Sequence, residues 1–183
     1  MYMRSVAPLT LCLSKVTLAA GTTTTISTTG TTVYAIRGKA YSKAAITNGA
    51  TPTTDWAIGN AFIPIPIPLS SPNLPGVPNG AAGYASIYMV GLDSGGSVRV
   101  IQGSIVALDA SGAFLTGLTF GGLGPSGSST TNNDFCPIGY IIVKLGSTAV
   151  ATWTFGTNNL SGVTGATYVF QDIIGIPNRA QTS

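Results

Sequence analysis

Short apolar runs alternate with clusters of Gly, Thr, Ser, Asn and Pro along the whole chain, and no sustained apolar stripe has helical spacing. This pattern is typical of an all-β protein. It predicts strands at residues 10–19, 22–27, 31–46, 85–93, 97–108, 138–145, 149–155 and 167–172, with a weaker one at 113–118. So many short strands favour one antiparallel β-sandwich or jelly-roll-like domain, with a small β-barrel as the alternative.

The strand at residues 85–93 has apolar side chains on both faces, so it must be central in its sheet or covered by a partner. Residues 93–97, Asp-Ser-Gly-Gly-Ser, join it to the next strand as a hairpin, and residues 109–112 give a second turn signal. In residues 149–155, Ala151, Trp153 and Phe155 share one face, which predicts a half-buried strand.

Three stretches depart from ordinary strand pattern. The threonine-rich residues 22–32 favour a hairpin, and residues 121–133 are a long Gly/Ser-rich loop. Residues 63–68, Ile-Pro-Ile-Pro-Ile-Pro, lack a backbone donor at every second position, so they cannot form a central strand and must lie along a surface. We therefore expect a single domain over residues 1–183, with 1–9 as an extended arm and 61–80 as a proline-rich surface strap.

The chemistry available for catalysis is sparse. Charged residues make up 7% of the 183 positions, histidine is absent, and all five acids are aspartates. Most acid–base catalysis needs an imidazole or paired carboxylates, so we expect no enzymatic activity. Cys12 and Cys136 lack ligand-type neighbours, so we expect no metal or other cofactor. They are expected to be buried free thiols, with a disulfide as the alternative.

The positive charge is concentrated at one end. Residues 1–54 contain five bases and no acid, while residues 55–183 have a net charge of −2. Eight bases are too few for a nucleic-acid footprint, and no apolar run is long enough for a membrane helix. The asymmetry suits docking on an acidic protein surface. Within the basic region, the period of two places Arg37, Lys39, Tyr41 and Lys43 on one face of a strand, with Ile36 on the other.

Other candidate contact residues are apolar. Ile63, Ile65 and Ile67 look exposed on the proline-rich strap, and residues 173–179 are a second apolar segment. Each could bind a partner or cover the core of its own domain. The aromatic residues Trp56, Tyr84 and Tyr88 would supply the platform if the protein bound glycans.

Residues 135–144 (FCPIGYIIVK), 151–160 (ATWTFGTNNL), 167–172 (TYVFQD) and 176–179 (IPNR) resemble the C-terminal half of small virion proteins of tailed bacteriophages, especially capsid decoration (cement) proteins. The resemblance covers about the last third of the chain. It implies a non-enzymatic protein, made in the host cytoplasm, that binds the outer surface of an assembled capsid. Its partners would be the major capsid protein and neighbouring copies of itself, for instance as a trimer.

Two functions of different classes therefore remain open. One is a cement protein that stabilises junctions between capsid subunits, each of many copies adding a modest contact area. The other is a head or tail appendage that binds host-surface glycans. Exposed, clustered aromatics would favour the appendage, whereas flat contacts by the basic strand and the strap would favour the cement protein.

Overall fold

The computed structural model describes residues 10–67, 83–121, 134–149 and 151–173. These residues form an all-β, sandwich-like domain, and the described part of the chain contains no helix. The strands, in chain order, are β1 Leu11–Cys12, β2 Ala19–Ala20, β3 Ile26–Ser27, β4 Thr32–Ile36, β5 Lys39–Lys43, β6 Gly83–Leu92, β7 Val98–Leu108, β8 Cys136–Gly146 and β9 Ala166–Asp172. The all-β prediction is confirmed.

The strands form three antiparallel sheets. The four longest strands have the order β7-β6-β8-β9, and the second sheet has the order β1-β4-β5. The short strands β2 and β3 pair with each other and form a hairpin that overlaps the threonine-rich residues. Its first strand precedes the predicted range, and the strand predicted at residues 22–27 is reduced to β3. The hairpin between β6 and β7 is also confirmed, because the N–H of Gly96 donates to the carbonyl of Asp93 at 2.9 Å.

The main core joins the two larger sheets. Its buried cluster contains Cys12 and Tyr34 from the three-stranded sheet together with Val90 and Ile138 from the four-stranded sheet. Trp153, which lies outside any strand, is fully buried in the same cluster. A buried aromatic ring of this size contributes a large part of the apolar area that stabilises the fold.

The four-stranded sheet is buried on its other face as well. Ile87 of β6 and Ile142 of β8 pack there against Leu118, which belongs to the segment that follows β7. Strand β6 lies between β7 and β8, which confirms the prediction of a central strand with apolar side chains on both faces. Its second face is covered by the chain's own segment.

Several predicted strands are shorter or different. Residues 10–19 form only β1 and the start of β2, and residues 113–118 contribute one isolated bridge, between Leu108 and Phe114. Residues 149–155 form no strand, although Trp153 and Phe155 are buried as predicted, and Ala151 is exposed. Trp153 instead makes an isolated bridge to Ile65. Residues 1–9, 68–82, 122–133, 150 and 174–183, which include the arm and most of the strap and long loop, lie outside the described residues.

Candidate docking surface

The hairpin between β4 and β5 turns at Arg37 and Gly38, whose φ angles are 51° and 78°. Two successive positive φ values are typical of the turns that suit the right-handed twist of a hairpin. The single strand predicted for residues 31–46 is therefore wrong, because the chain reverses at this turn. Arg37 is exposed at the tip of the hairpin and does not belong to a ladder on one strand.

Lys39, Tyr41 and Lys43 do share one face of β5, as their spacing predicts. The register places Lys39 opposite Ile36 and Tyr41 opposite Tyr34. Residues directly opposite in an antiparallel pair share a face. Ile36 therefore lies on the same face as the lysines, and its predicted position on the other face is wrong. Ile36 and Tyr34 are 5% and 1% exposed, so this is the core-facing side of the hairpin.

The two lysines extend from the margin of this inner face. The rings of Tyr34 and Tyr41 stack with their centroids 5.5 Å apart, and the Nζ of Lys39 lies 5.3 Å from the Tyr41 centroid. A Cβ at Gly96 would lie 3.1 Å from the Cδ of Lys43, so the stem of Lys43 passes over this glycine. The Tyr41 ring thus positions the ammonium group of Lys39, and the contact at Gly96 positions the stem of Lys43.

All five aspartates accept hydrogen bonds from their own chain. Asp93 is 6% exposed and forms an ion pair with Arg99, with 2.8 Å between Oδ2 and Nη2. The other four bind nearby groups: Asp55 the N–H of Ala57 and Gln102, Asp109 the N–H of Ser111 and Ala113, Asp134 the N–H and hydroxyl of Ser94, and Asp172 the N–H of Thr17 and Leu18. The carboxylates therefore hold turns and loops in place.

The described bases of the N-terminal third have no partner of opposite charge among the described residues. In residues 10–67 and the other described segments, the pair of Asp93 and Arg99 is the only ion pair, so Arg37, Lys39 and Lys43 have no acidic partner there. We call these three residues the basic hairpin surface. Lys15 is also exposed and without an ion pair. The absence of acids from residues 1–54 predicts that these bases lack partners nearby. It does not predict the turn at Arg37 and Gly38 that positions them.

A buried hydrogen bond fixes the hairpin to the turn between β6 and β7. The hydroxyl of Tyr34 donates to the carbonyl of Asp93 at 2.8 Å, and that carbonyl also accepts the N–H of Gly96. Burial, with a smaller contribution from the Asp93 charge, raises the pKa of Tyr34 to about 12. The sequence predicts the turn that contains Gly96, but it does not indicate that Tyr34 binds this turn.

Replacing Tyr34 with phenylalanine removes this hydrogen bond and keeps the stacked ring. We expect a loss of about 1 kcal/mol in the free energy of unfolding, because the Asp93 carbonyl keeps its second donor. Urea denaturation measures this loss. The matched control is Tyr41→Phe, because Tyr41 is half-buried and its hydroxyl has no hydrogen bond to a described residue. Equal stability of the two variants would contradict the expectation.

The three strap isoleucines have different environments. Ile63 is 59% exposed, whereas Ile65 is 0% exposed and its N–H donates to the carbonyl of Trp153 at 2.8 Å. Ile67 is half-buried and packs against the main core. Ile65 is therefore not exposed as its sequence suggested, and of the two roles left open for the strap isoleucines it has the second, because its side chain completes the core of its own domain. Of the three, only Ile63 is fully available to a partner.

The three aromatic residues do not form a common platform. Tyr88 is fully buried in the main core, and Tyr84 is half-buried against it. The ring of Trp56 is half-buried, and the guanidinium carbon of Arg99 lies 4.2 Å from its centroid. This cation–π contact covers one face of the indole.

The cysteines are both buried and free, as expected. Within the described ranges, no group of three His, Cys, Asp or Glu side chains could hold a metal ion. The same part of the chain has no helix long and apolar enough to span a membrane.

Comparison with known proteins gives no relative. No protein-family model matches the chain, and neither a curated protein nor a solved structure matches it.

Proposed function

We propose that this chain is a non-catalytic structural protein of a bacteriophage virion that binds the outer surface of the assembled capsid and stabilises the junctions between its subunits. The basic hairpin surface would dock on acidic groups of the major capsid protein. The proposal depends mainly on one observation: Arg37, Lys39 and Lys43 lack acidic partners among the described residues, while every aspartate is engaged elsewhere in the domain.

The positions of the basic side chains favour binding to an acidic surface outside the domain. An exposed ammonium group with a fixed stem loses less side-chain entropy on binding than a freely rotating one. Stacking of Tyr41 on Tyr34 and the contact of Lys43 with Gly96 give the surface that partial order. A basic surface of this kind also accelerates association with an acidic one and makes binding sensitive to salt.

A role without catalysis is supported by what the carboxylates do. The chain has no histidine, and its aspartates accept hydrogen bonds from backbone N–H groups, hydroxyls and one guanidinium. Groups used in this way are poorly placed to exchange protons with a substrate. The virion context comes from the resemblance of residues 135–179 to phage decoration proteins.

The alternative, an appendage that binds host glycans, has less support. Glycan sites commonly use exposed aromatic faces, and of the three candidate residues Tyr88 is fully buried while Trp56 is covered on one face by Arg99.

The docking surface can be tested by neutralising it. Capsids of the phage that encodes the protein, assembled without it, are mixed with the wild type or with the Arg37→Gln, Lys39→Gln, Lys43→Gln variant, and cosedimentation is measured from low to high salt. We expect the variant to bind at least about tenfold more weakly at low salt, since three charge pairs of up to about 1 kcal/mol each are lost. Its residual binding should be less sensitive to salt.

The control variant removes three charges elsewhere in the sequence, at Lys15, Lys144 and Arg179, and has the same formal net charge of zero. It should bind nearly as the wild type does. Equal weakening of both variants would indicate a general charge effect and not a docking surface. Particles that lack the protein but survive heat as well as complete particles, and fail to adsorb to cells, would favour the appendage.

A further inference from the structure

Strand β9 is an edge of the four-stranded sheet, and within the described segments no other strand pairs with its outer side. The N–H of Ile173 donates to the carbonyl of Ile138 at 3.2 Å, and the carbonyl of Gly165 accepts the N–H of Gly146 at 2.8 Å. Odd-numbered residues therefore direct their backbone groups toward β8. Because these groups alternate along a strand, those of Tyr168 and Phe170 point away from the sheet. Neither has a backbone hydrogen-bond partner among the described residues on that side.

The opposite edge of the same sheet is covered by its own chain. The carbonyl of Val100 in β7 accepts the N–H of Trp56, and the N–H of Gln102 donates to the carboxylate of Asp55. Further along β7, the N–H of Ser104 donates to the carbonyl of Thr119. Open edges of natural sheets are usually protected by covering segments, charges or prolines.

Strand β9 has few of these protections. Its sequence, Ala-Thr-Tyr-Val-Phe-Gln-Asp, contains no proline and no lysine, and four of its seven residues are aromatic or β-branched. Its one charged residue, Asp172, is occupied by the N–H groups of Thr17 and Leu18. By contrast, β5, the edge of the other large sheet, has Lys39 and Lys43.

We propose that β9 pairs with β9 of a second copy of this chain, so that two four-stranded sheets join across a two-fold axis. The antiparallel register that overlaps the whole strand is centred on Val169. It places Tyr168 opposite Phe170 of the second copy, and the outward backbone groups of both residues then form hydrogen bonds. Thr167 lies opposite Gln171 of the second copy, so no like charges meet.

A second copy fits this edge because the strand is compatible with itself. An acidic partner would have no cation to meet on β9, and a basic partner would find its only carboxylate already bound. The half-exposed rings of Tyr168 and Phe170 would lose solvent contact on pairing, which adds apolar burial to the backbone hydrogen bonds. The inference is independent of the capsid proposal, because it concerns the purified chain alone.

The experiment measures the mass of the purified full-length chain by sedimentation over a range of concentrations. We expect twice the chain mass of 18.5 kDa at high concentration. In the Thr167→Lys, Gln171→Lys variant, two lysine pairs would face each other across the axis, and the dissociation constant should rise about tenfold or more. The Thr167→Lys, Gln171→Glu variant would pair opposite charges and should restore the dimer.

Separate measurements check that the variants still fold. Thr167 and Gln171 are exposed, so all variants should keep the circular dichroism spectrum and melting temperature of the wild-type monomer. The control Ser42→Lys, at an exposed position of β5, should leave the dimer intact. Hydrogen exchange supplies the second readout: the amides of Tyr168 and Phe170 should be protected in the dimer and exchange at least tenfold faster in the dissociating variant.

Other outcomes would overturn the proposal. A wild-type monomer whose Tyr168 and Phe170 amides exchange rapidly would mean that the edge stays open or serves an unrelated partner. A monomer with protected amides would mean that another part of the same chain covers β9. A trimer, or a dimer unaffected by the two lysines, would place self-association elsewhere.

Discussion

Replacing Ile65 with aspartate is expected to unfold the domain, whereas the same replacement at Ile63, two positions earlier, should leave stability nearly unchanged. The Ile65 side chain is 0% exposed and belongs to the cluster that contains Trp153 and Phe155. A carboxylate there would be buried without a partner, at a cost above about 4 kcal/mol. That is a large part of the roughly 5–15 kcal/mol that stabilises a domain of ordinary size.

Thermal and urea denaturation of the two variants test this expectation. Ile63 is 59% exposed, so its replacement should change the free energy of unfolding by no more than about 0.5 kcal/mol. Ile65→Val, which should remain folded and lose about 1 kcal/mol, keeps the test quantitative if the aspartate variant cannot be purified. Equal melting temperatures for the aspartate variants would contradict the core position of Ile65. Failure of a folded Ile63→Asp variant to bind capsids would identify Ile63 as a partner contact.

The second large effect is expected at alkaline pH. Burial, with a smaller contribution from Cys12, raises the pKa of Cys136 to about 12, and burial raises the pKa of Tyr34 to about 12 as well. In the unfolded chain these groups lose their protons near pH 8.5 and pH 10. Since the folded state keeps protons that the unfolded state releases, stability is complete below about pH 8.5 and is lost as pH rises toward 12.

The melting temperature should therefore stay constant from pH 5 to pH 8 and fall steadily above about pH 9. Each well-shielded group can contribute a slope of at most about 1.4 kcal/mol per pH unit. No histidine titrates in the flat range. Hydrogen bonds, chiefly with Ser111, lower the pKa of Asp109, so its contribution is lost only as pH falls below about 4.

The Cys136→Ala variant separates the contribution of this thiol from that of Tyr34 to the loss of stability at alkaline pH. The variant should have a smaller slope between pH 9 and pH 10, where cysteine but little tyrosine titrates in the unfolded chain. Alkylation of native protein at pH 8.5 should be much slower than that of protein in urea, because the thiolate is the reacting form. A melting temperature that is constant up to pH 11, or rapid alkylation of both thiols in the native state, would contradict the account.

The sequence predicts the fold best where local pattern and tertiary position agree. Strand β6 is apolar on both faces, and only a central position with both faces covered can satisfy that pattern. Its hairpin to β7 follows from the Asp-Ser-Gly-Gly turn, whose hydrogen bonds form within a few residues.

The predictions from sequence are wrong where contacts between distant parts of the chain determine the local structure. Residues 149–155 have the alternation of a strand, but the partner of Trp153 is Ile65 in the proline-rich strap, and prolines on both sides of Ile65 prevent a longer ladder. At residues 31–46 the reversal depends on positive φ at Arg37, a residue type that seldom adopts it. The sequence therefore predicts which basic residues form the candidate site, but not how the hairpin positions them.

The cover on β7 has a consequence for the size of any assembly. In polymer terms, a sheet with two open edges is a divalent monomer, and repeated edge pairing of such monomers produces a fibril. With Trp56, Asp55 and Thr119 bonded along β7, the described residues leave this sheet only one edge for pairing, β9, and so a valence of one. Pairing through β9, as proposed above, would then exhaust the edges of this sheet, so growth through it would stop at a dimer even at high concentration.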